Sequence, residues 1–156
     1  LREMTLLEVP IIATVIGEGG SGGALGIGVA DRVLILENAY YSVISPEGCA
    51  AILWKDRANA AKAAAALRIT AKDLLELKLV DEIVPEPLGG AHTNATEIAA
   101  NLKTHLLKHL EEVLAIPVAE RLKKRYEKFR AYGHFTEQAG DAGNIKTAKS
   151  AKTVAA

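Results

Sequence analysis

Gly17-Glu18-Gly19-Gly20-Ser21-Gly22-Gly23-Ala24-Leu25-Gly26-Ile27-Gly28 holds seven of the chain's thirteen glycines. Before it, Val9 to Ile16 is an apolar run rich in β-branched residues, which predicts a buried strand. After it, Ala24 to Ala30 carries no charge and suits a short buried helix. The chain therefore reads as strand, glycine turn, helix N-terminus. Glycine permits positive φ and lets a ligand approach the backbone closely. The first N–H groups of a helix are unpaired and lie at the positive end of its dipole. Such a turn can stabilise negative charge on an oxygen. Gly26 and Gly28 inside the helix should each cost up to about 1 kcal/mol relative to alanine, so a close neighbour is expected there.

The rest of the chain predicts an α/β protein. Val33–Leu36 and Tyr41–Ile44 read as two short strands around Glu37-Asn38-Ala39. Ser45-Pro46-Glu47 is a helix start, with a serine N-cap, proline at the first helical position and an acid in the first turn. Arg57 to Leu67 is alanine-rich and helical, and Thr70 caps a further short helix to Leu79. Val80 to Val84 is a strand, closed by Pro85-Glu86-Pro87-Leu88-Gly89-Gly90, which cannot be regular structure. Ile98, Leu102, Leu106, Leu110, Val113 and Leu114 form one helical stripe from about Thr96, and a last helix spans Val118 to Tyr132. Residues 134–156 read as a disordered tail of Ala, Lys, Thr and Ser. Leu1, Met4 and Leu7 look like the end of an amphipathic helix that began earlier. The chain is therefore expected to be the C-terminal part of a longer domain.

Composition narrows the class. The formal net charge is zero, which argues against bulk nucleic-acid affinity. The single cysteine, Cys49, excludes an internal disulfide framework and fits a reducing compartment. No apolar run reaches the roughly 18 residues of a membrane span, so a soluble protein is expected.

Four readings of the glycine turn compete. Glycines that only permit close packing rarely need this density. Gly17-x-Gly19-x-x-Gly22 matches a Rossmann dinucleotide pattern, with Glu37 twenty positions on. The helix after it is short and uniformly small, however, and two strands follow in immediate succession. Gly17-x-x-x-Ser21 looks like the nucleophile segment of Clp-type serine peptidases, yet Ser45 stands near where that family places its histidine. His92, His105, His109 and His134 all come much later. The remaining reading, an oxyanion hole without a nucleophile, needs only N–H groups and space.

Three segments together carry a specific resemblance. Thr14 to Leu25, Tyr41 to Ala50 and Pro85 to His92 closely resemble the α-subunit family of acetyl-CoA carboxylase carboxyltransferases, and the likeness runs from Leu1 to about Tyr132. The resemblance implies a crotonase-like (ClpP/crotonase) fold of repeated β-β-α units, here its C-terminal half, over residues 1–92. Terminal helices over 93–133 would pack on that domain or on a partner subunit. It implies transfer of a carboxyl group from carboxybiotin, held on a separate carrier protein, to acetyl-CoA, giving malonyl-CoA for fatty acid synthesis. It also implies a carboxyltransferase β subunit in an α2β2 heterotetramer, and a biotin carboxylase in the same ATP-binding complex. No metal is expected in this chain. The setting would be bacterial cytoplasm, with a plastid stroma as the alternative.

Carried over by motif, the backbone N–H groups of Gly22 and Gly23 form the oxyanion hole for the biotin ureido oxygen, with Ala24 the next donor. Gly19, Gly20, Ser21, Ala24 and Glu47 are candidates to line the biotin pocket. The departing biotin enolate can itself take the methyl proton of acetyl-CoA, so no side-chain base is required. The alternative from another class is a structural fragment, inactive without its partner subunit. Smaller signals read structurally. Cys49 is expected to be a small buried residue, and Trp54 with Ile52-Leu53 core or interface. His105 and His109, spaced as two metal ligands could be, lack an apparent third and read as solvated or packing residues. The basic cluster Arg121, Lys123, Lys124, Arg125, Lys128 and Arg130 reads as a solvated helix face.

Overall fold

The computed structural model describes residues 1–133. The expected tail over 134–156 lies outside the described residues. A short helix α1 (Arg2–Thr5) leads to β1 (Ile12–Val15), β2 (Glu18–Gly20) and α2 (Ser21–Gly28). There follow β3 (Arg32–Leu36), β4 (Tyr40–Ser42) and α3 (Pro46–Trp54), then α4 (Ala60–Leu67) and α5 (Ala71–Glu76). The chain continues through β5 (Glu82–Val84), the long helix α6 (Ala95–Leu114) and α7 (Val118–Arg130).

The strands form two small parallel sheets, one in the order β1-β3-β5 and one pairing β2 with β4. Parallel strands buried on both faces need continuous apolar runs. Val33, Leu34 and Ile35 supply one, each fully buried. Around them pack Val15, Ala30, Leu74, Val80 and Val84, with Ile98, Leu102 and Leu106 of α6 closing one side. Leu114, expected on the same stripe, is exposed. Most helix starts are written locally. Ser45 Oγ accepts from the Gly48 N–H at 3.1 Å, with Pro46 at the first position of α3. Thr70 accepts from the Asp73 N–H at the start of α5.

Two expectations are corrected. First, the glycine segment is not a loop followed by a helix at Ala24. Glu18–Gly20 is a strand, in register Gly19 to Tyr41, and α2 begins at Ser21. The β4 residues that pair with β2 lie 22 positions further on, beyond the reach of local pattern. Second, the basic face of α7 is not wholly solvated, because Arg121 and Arg125 are buried. The Arg125 guanidinium grips Asp31, Nε to Oδ1 at 2.8 Å and NH2 to Oδ2 at 2.7 Å. It also donates to the carbonyls of Met4, Leu7 and Val9. Arg121 donates to the carbonyls of Val113, Ile116 and Glu8. These acceptors lie at helix ends and in the connection to β1, where a forked donor reaches several at once; the Met4 and Val113 carbonyls also accept from the Leu7 and Ile116 N–H groups.

The two α6 histidines are not merely packing residues either. Glu82 of β5 bonds His109, receives Lys108 Nζ at 2.8 Å and lies 3.3 Å from His105 Nδ1. Partial burial acts to raise the Glu82 pKa, but the bonds from Lys108, His105 and His109 outweigh it. They hold the carboxyl at about 2, below its ordinary 4.5. A depressed carboxylate stabilises the fold above its unfolded pKa and loses that contribution as pH falls toward its folded value. Parent and Glu82→Gln should therefore differ most in urea stability above about pH 4.5, and the gap should close towards pH 2. A gap independent of pH would contradict this.

Among the described residues, no helix is long and apolar enough to cross a membrane, and no group of three or more His, Cys, Asp and Glu is placed to hold a metal ion. Cys49 is buried, as expected. Ile52 and Leu53 are exposed rather than core, while Trp54 lies under Lys62 Nζ at 4.8 Å.

Candidate functional site

The site begins where β2 ends. Gly20 is extended, with φ −139° and ψ 161°, and is the N-cap of α2, and no side chain caps the helix. Ser21 then takes φ +51°, the left-handed region, which costs a non-glycine residue roughly 1–2 kcal/mol. Gly22 onward is right-handed helix. A left-handed residue followed by right-handed ones turns successive N–H groups toward one point, which makes a concave anion site.

Ser21, Gly22 and Gly23 are all exposed. Among the described residues, no carbonyl or side chain accepts from the Gly22 or Gly23 N–H. These are first-turn donors that no intrahelical bond can satisfy. A Cβ built on Gly22, Gly23 or Gly26 would meet no heavy atom within 4 Å. The protein's own packing therefore does not demand glycine there.

Elsewhere packing does demand it. A Cβ on Gly19 would lie 2.8 Å from Tyr41 Cδ2 and 3.2 Å from Val15 Cγ1. One on Gly28 would lie 3.2 Å from the Tyr41 hydroxyl oxygen. The close neighbour expected beside the helix is thus Tyr41, and it presses on Gly28 but not on Gly26. The Tyr41 hydroxyl donates to the Ala24 carbonyl.

Two clefts meet at Ser21. One, of about 460 Å³, is mainly apolar, with Ala24, Leu25, Tyr41, Phe129 and Tyr132 on its walls. The other, of about 370 Å³, is bounded by Glu18, Gly20, Tyr40 and Ser45. Burial pushes the Tyr41 phenol up, and pushes that of Tyr132 up to about 12. The Glu18 carboxylate beside Tyr40 raises its phenol. All three therefore remain neutral at ordinary pH.

The predicted residues separate. Gly20, Ser21 and Ala24 face the clefts. Gly19 is buried under Tyr41 and lines neither. Glu47 is exposed in the first turn of α3 and also lines neither. Ala24 is buried, with its carbonyl taken by Tyr41. Tyr41 itself was not singled out from the sequence. Gly19 and Gly28 leave room for it, but Gly17 and Gly26, also nine positions apart, have open space around them, so the spacing alone did not signal it.

The competing readings weaken. Ser21 has the strained strand-to-helix geometry of a nucleophile, but among the described residues no histidine lines either cleft. His105 and His109 are committed to Glu82, and His92 lies beside Gly90. Glu37, needed at a dinucleotide ribose, instead accepts from the Glu86 N–H.

Comparison with known proteins identifies the family. The family model described as acetyl co-enzyme A carboxylase carboxyltransferase-like matches residues 1–133. The acetyl-coenzyme A carboxylase carboxyl transferase subunit alpha of Thermosynechococcus vestitus is 63% identical over 137 residues, covering 88% of this chain and 42% of that protein. Its namesake in Rhodopirellula baltica is 58% identical over 135 residues, covering 86% and 42%. The chain thus spans about two fifths of these relatives' length. These matches do not support the expected position at the C-terminal end of the longer relatives.

Among solved structures, a Pseudomonas malonate decarboxylase hetero-tetramer in complex with coenzyme A superposes with TM-score 0.63 at 21% identity, over 79% of this chain and 48% of that one. An enoyl-CoA hydratase from Mycobacterium avium subsp. paratuberculosis gives 0.50 at 22%, over 84% and 53%. These likenesses establish an α/β fold with crotonase-like neighbours. With its sequence matched from Leu1 to Gly133, the chain belongs to the acetyl co-enzyme A carboxylase carboxyltransferase-like family.

Proposed function

We propose that this chain supplies the biotin-side oxyanion hole of a carboxyltransferase that moves a carboxyl group from carboxybiotin to acetyl-CoA, forming malonyl-CoA. The observation that carries this reading is the pair of bare amides. Gly22 and Gly23 are exposed directly after a left-handed serine, and their N–H groups have no acceptor among the described residues. When carboxybiotin releases CO₂, charge gathers on the ureido oxygen. Each aimed donor is worth roughly 3–4 kcal/mol to such a charge. Carboxybiotin would supply the CO₂ and, once decarboxylated, the base for the acetyl-CoA methyl proton, while the Gly22 and Gly23 N–H groups would hold its ureido oxygen.

Nothing in this scheme asks Ser21 to be a nucleophile. Ser21→Gly adopts φ +51° without strain and should lower transfer by no more than about tenfold. Loss of a true nucleophile costs about 10⁴-fold or more. A loss on that larger scale, measured as malonyl-CoA formation, would instead give Ser21 a direct chemical role in the transfer.

The other half of the site belongs to a β subunit in this proposal, and a biotin carboxyl carrier protein delivers the carboxybiotin. Ile16, Leu25 and Val43 are exposed around the turn, at 71%, 49% and 65%, which supports a partner covering that face. It favours equally the reading in which the chain alone is inactive. The element order β1-β2-α2 then β3-β4-α3 supports two β-β-α units within residues 1–92, with α6 and α7 of 93–133 packed on them. A bacterial cytoplasmic setting follows from this assignment. Mixing the chain with β subunit and carboxybiotinylated carrier tests the whole: malonyl-CoA should form from acetyl-CoA only when all three are present.

A further inference from the structure

We propose that Tyr41 is the positioning residue of the Gly22–Gly23 amide pair, fixing the first turn of α2 against β4. The inference rests on the oxyanion reading above and asks what holds those amides still.

The first turn of α2 has few restraints of its own. Its N-cap is a glycine with no capping side chain, and two of its first three residues are glycines with open space around them. Glycine has the widest backbone freedom of any residue, so two in succession would let the donor directions wander. Donors stabilise a developing charge only when their orientation is set beforehand.

Tyr41 provides that setting from outside the helix. Its backbone is fixed by the β2–β4 register opposite Gly19, and its N–H donates to the Ile69 carbonyl at 3.2 Å. The ring lies against Gly19, where any Cβ would overlap it, and the hydroxyl reaches Gly28. That hydroxyl donates to the carbonyl of Ala24, the residue directly after the amide pair. Burial raises the phenol, so the donor stays protonated. One rigid side chain thus contacts α2 at Ala24 and Gly28, one turn apart, and ties that stretch to the strand beneath. The absence of side chains at Gly19 and Gly28 makes room for it.

Tyr41→Phe keeps the ring and removes only the hydroxyl. In the complete carboxyltransferase containing this chain, kcat for malonyl-CoA formation should fall about tenfold, with the acetyl-CoA KM within about twofold, because the amides act on the transition state. Gly28→Ala, which drives a methyl toward the same hydroxyl, should give a similar kcat loss. The double variant should be no worse than the more damaged single, since both break one contact. Tyr41→Phe with kcat within about twofold of the parent overturns the proposal, as do losses that multiply in the double variant. Gly22→Pro, assayed alongside, separates the two claims. If it leaves transfer intact, the oxyanion reading fails and takes Tyr41 with it. If it abolishes transfer while Tyr41→Phe is silent, the Tyr41 assignment alone falls.

Discussion

Gly22→Pro is expected to lower carboxyl transfer by about 10²–10³-fold, the loss that follows removal of one oxyanion donor. Proline deletes the N–H without adding a charge, and the first helical turn tolerates it because that N–H has no helical partner to lose. The structure strengthens the case, since the Gly22 N–H has no acceptor among the described residues. The loss would therefore not stem from a broken internal bond. Gly22→Ala is the matching control. Its methyl meets no atom within 4 Å, and the N–H is kept. It should retain most of the activity that proline destroys. Equal losses in both variants would point to crowding by a ligand or partner rather than to the amide. Far-ultraviolet circular dichroism and assembly with the β subunit check that both variants remain folded.

The second large effect concerns stability. Arg125→Met should destabilise the fold by about 3–5 kcal/mol, the cost of stranding one member of a buried ion pair. Asp31 would keep its bond from the Ile11 N–H at 2.7 Å but lose two charge-assisted bonds from the guanidinium. The carbonyls of Met4, Leu7 and Val9 would lose their donor in the same step. The damage falls where α1 hands over to β1, the strand that leads to the glycine segment. For a chain of this size the melting temperature should drop on the order of 10 °C. Arg125→Lys should not rescue it, because one ammonium cannot fork to a carboxylate and three carbonyls together. A drop of only 1–2 °C would show that the network is strained or solvated rather than stabilising.

These two residues mark what the sequence could and could not disclose. The glycine segment announced a bare-backbone site because that signal is local and chemical: no side chains, a strand before, a helix after. Ser45, Pro46 and Thr70 were equally legible, since a cap needs only the next three residues. The stripe of Ile98, Leu102 and Leu106 followed from helical period. What escaped was set by distant partners. The helix begins at Ser21 because β2 pairs with β4, and no local rule places a serine at positive φ. Arg125 reads as one more charge on a basic face until Asp31, 94 residues earlier, is brought beside it. Glu82 likewise joins His105 and His109 only across the β5–α6 packing. Tyr41 went unsignalled, because the glycines that leave it room look in sequence like those with open space around them.

The most direct test is a crystal structure of the complete carboxyltransferase with biotin bound. The ureido oxygen should lie about 2.7–3.1 Å from both the Gly22 and Gly23 nitrogens. Biotin seated elsewhere, with those two amides facing solvent or a partner's carbonyl, would contradict the account.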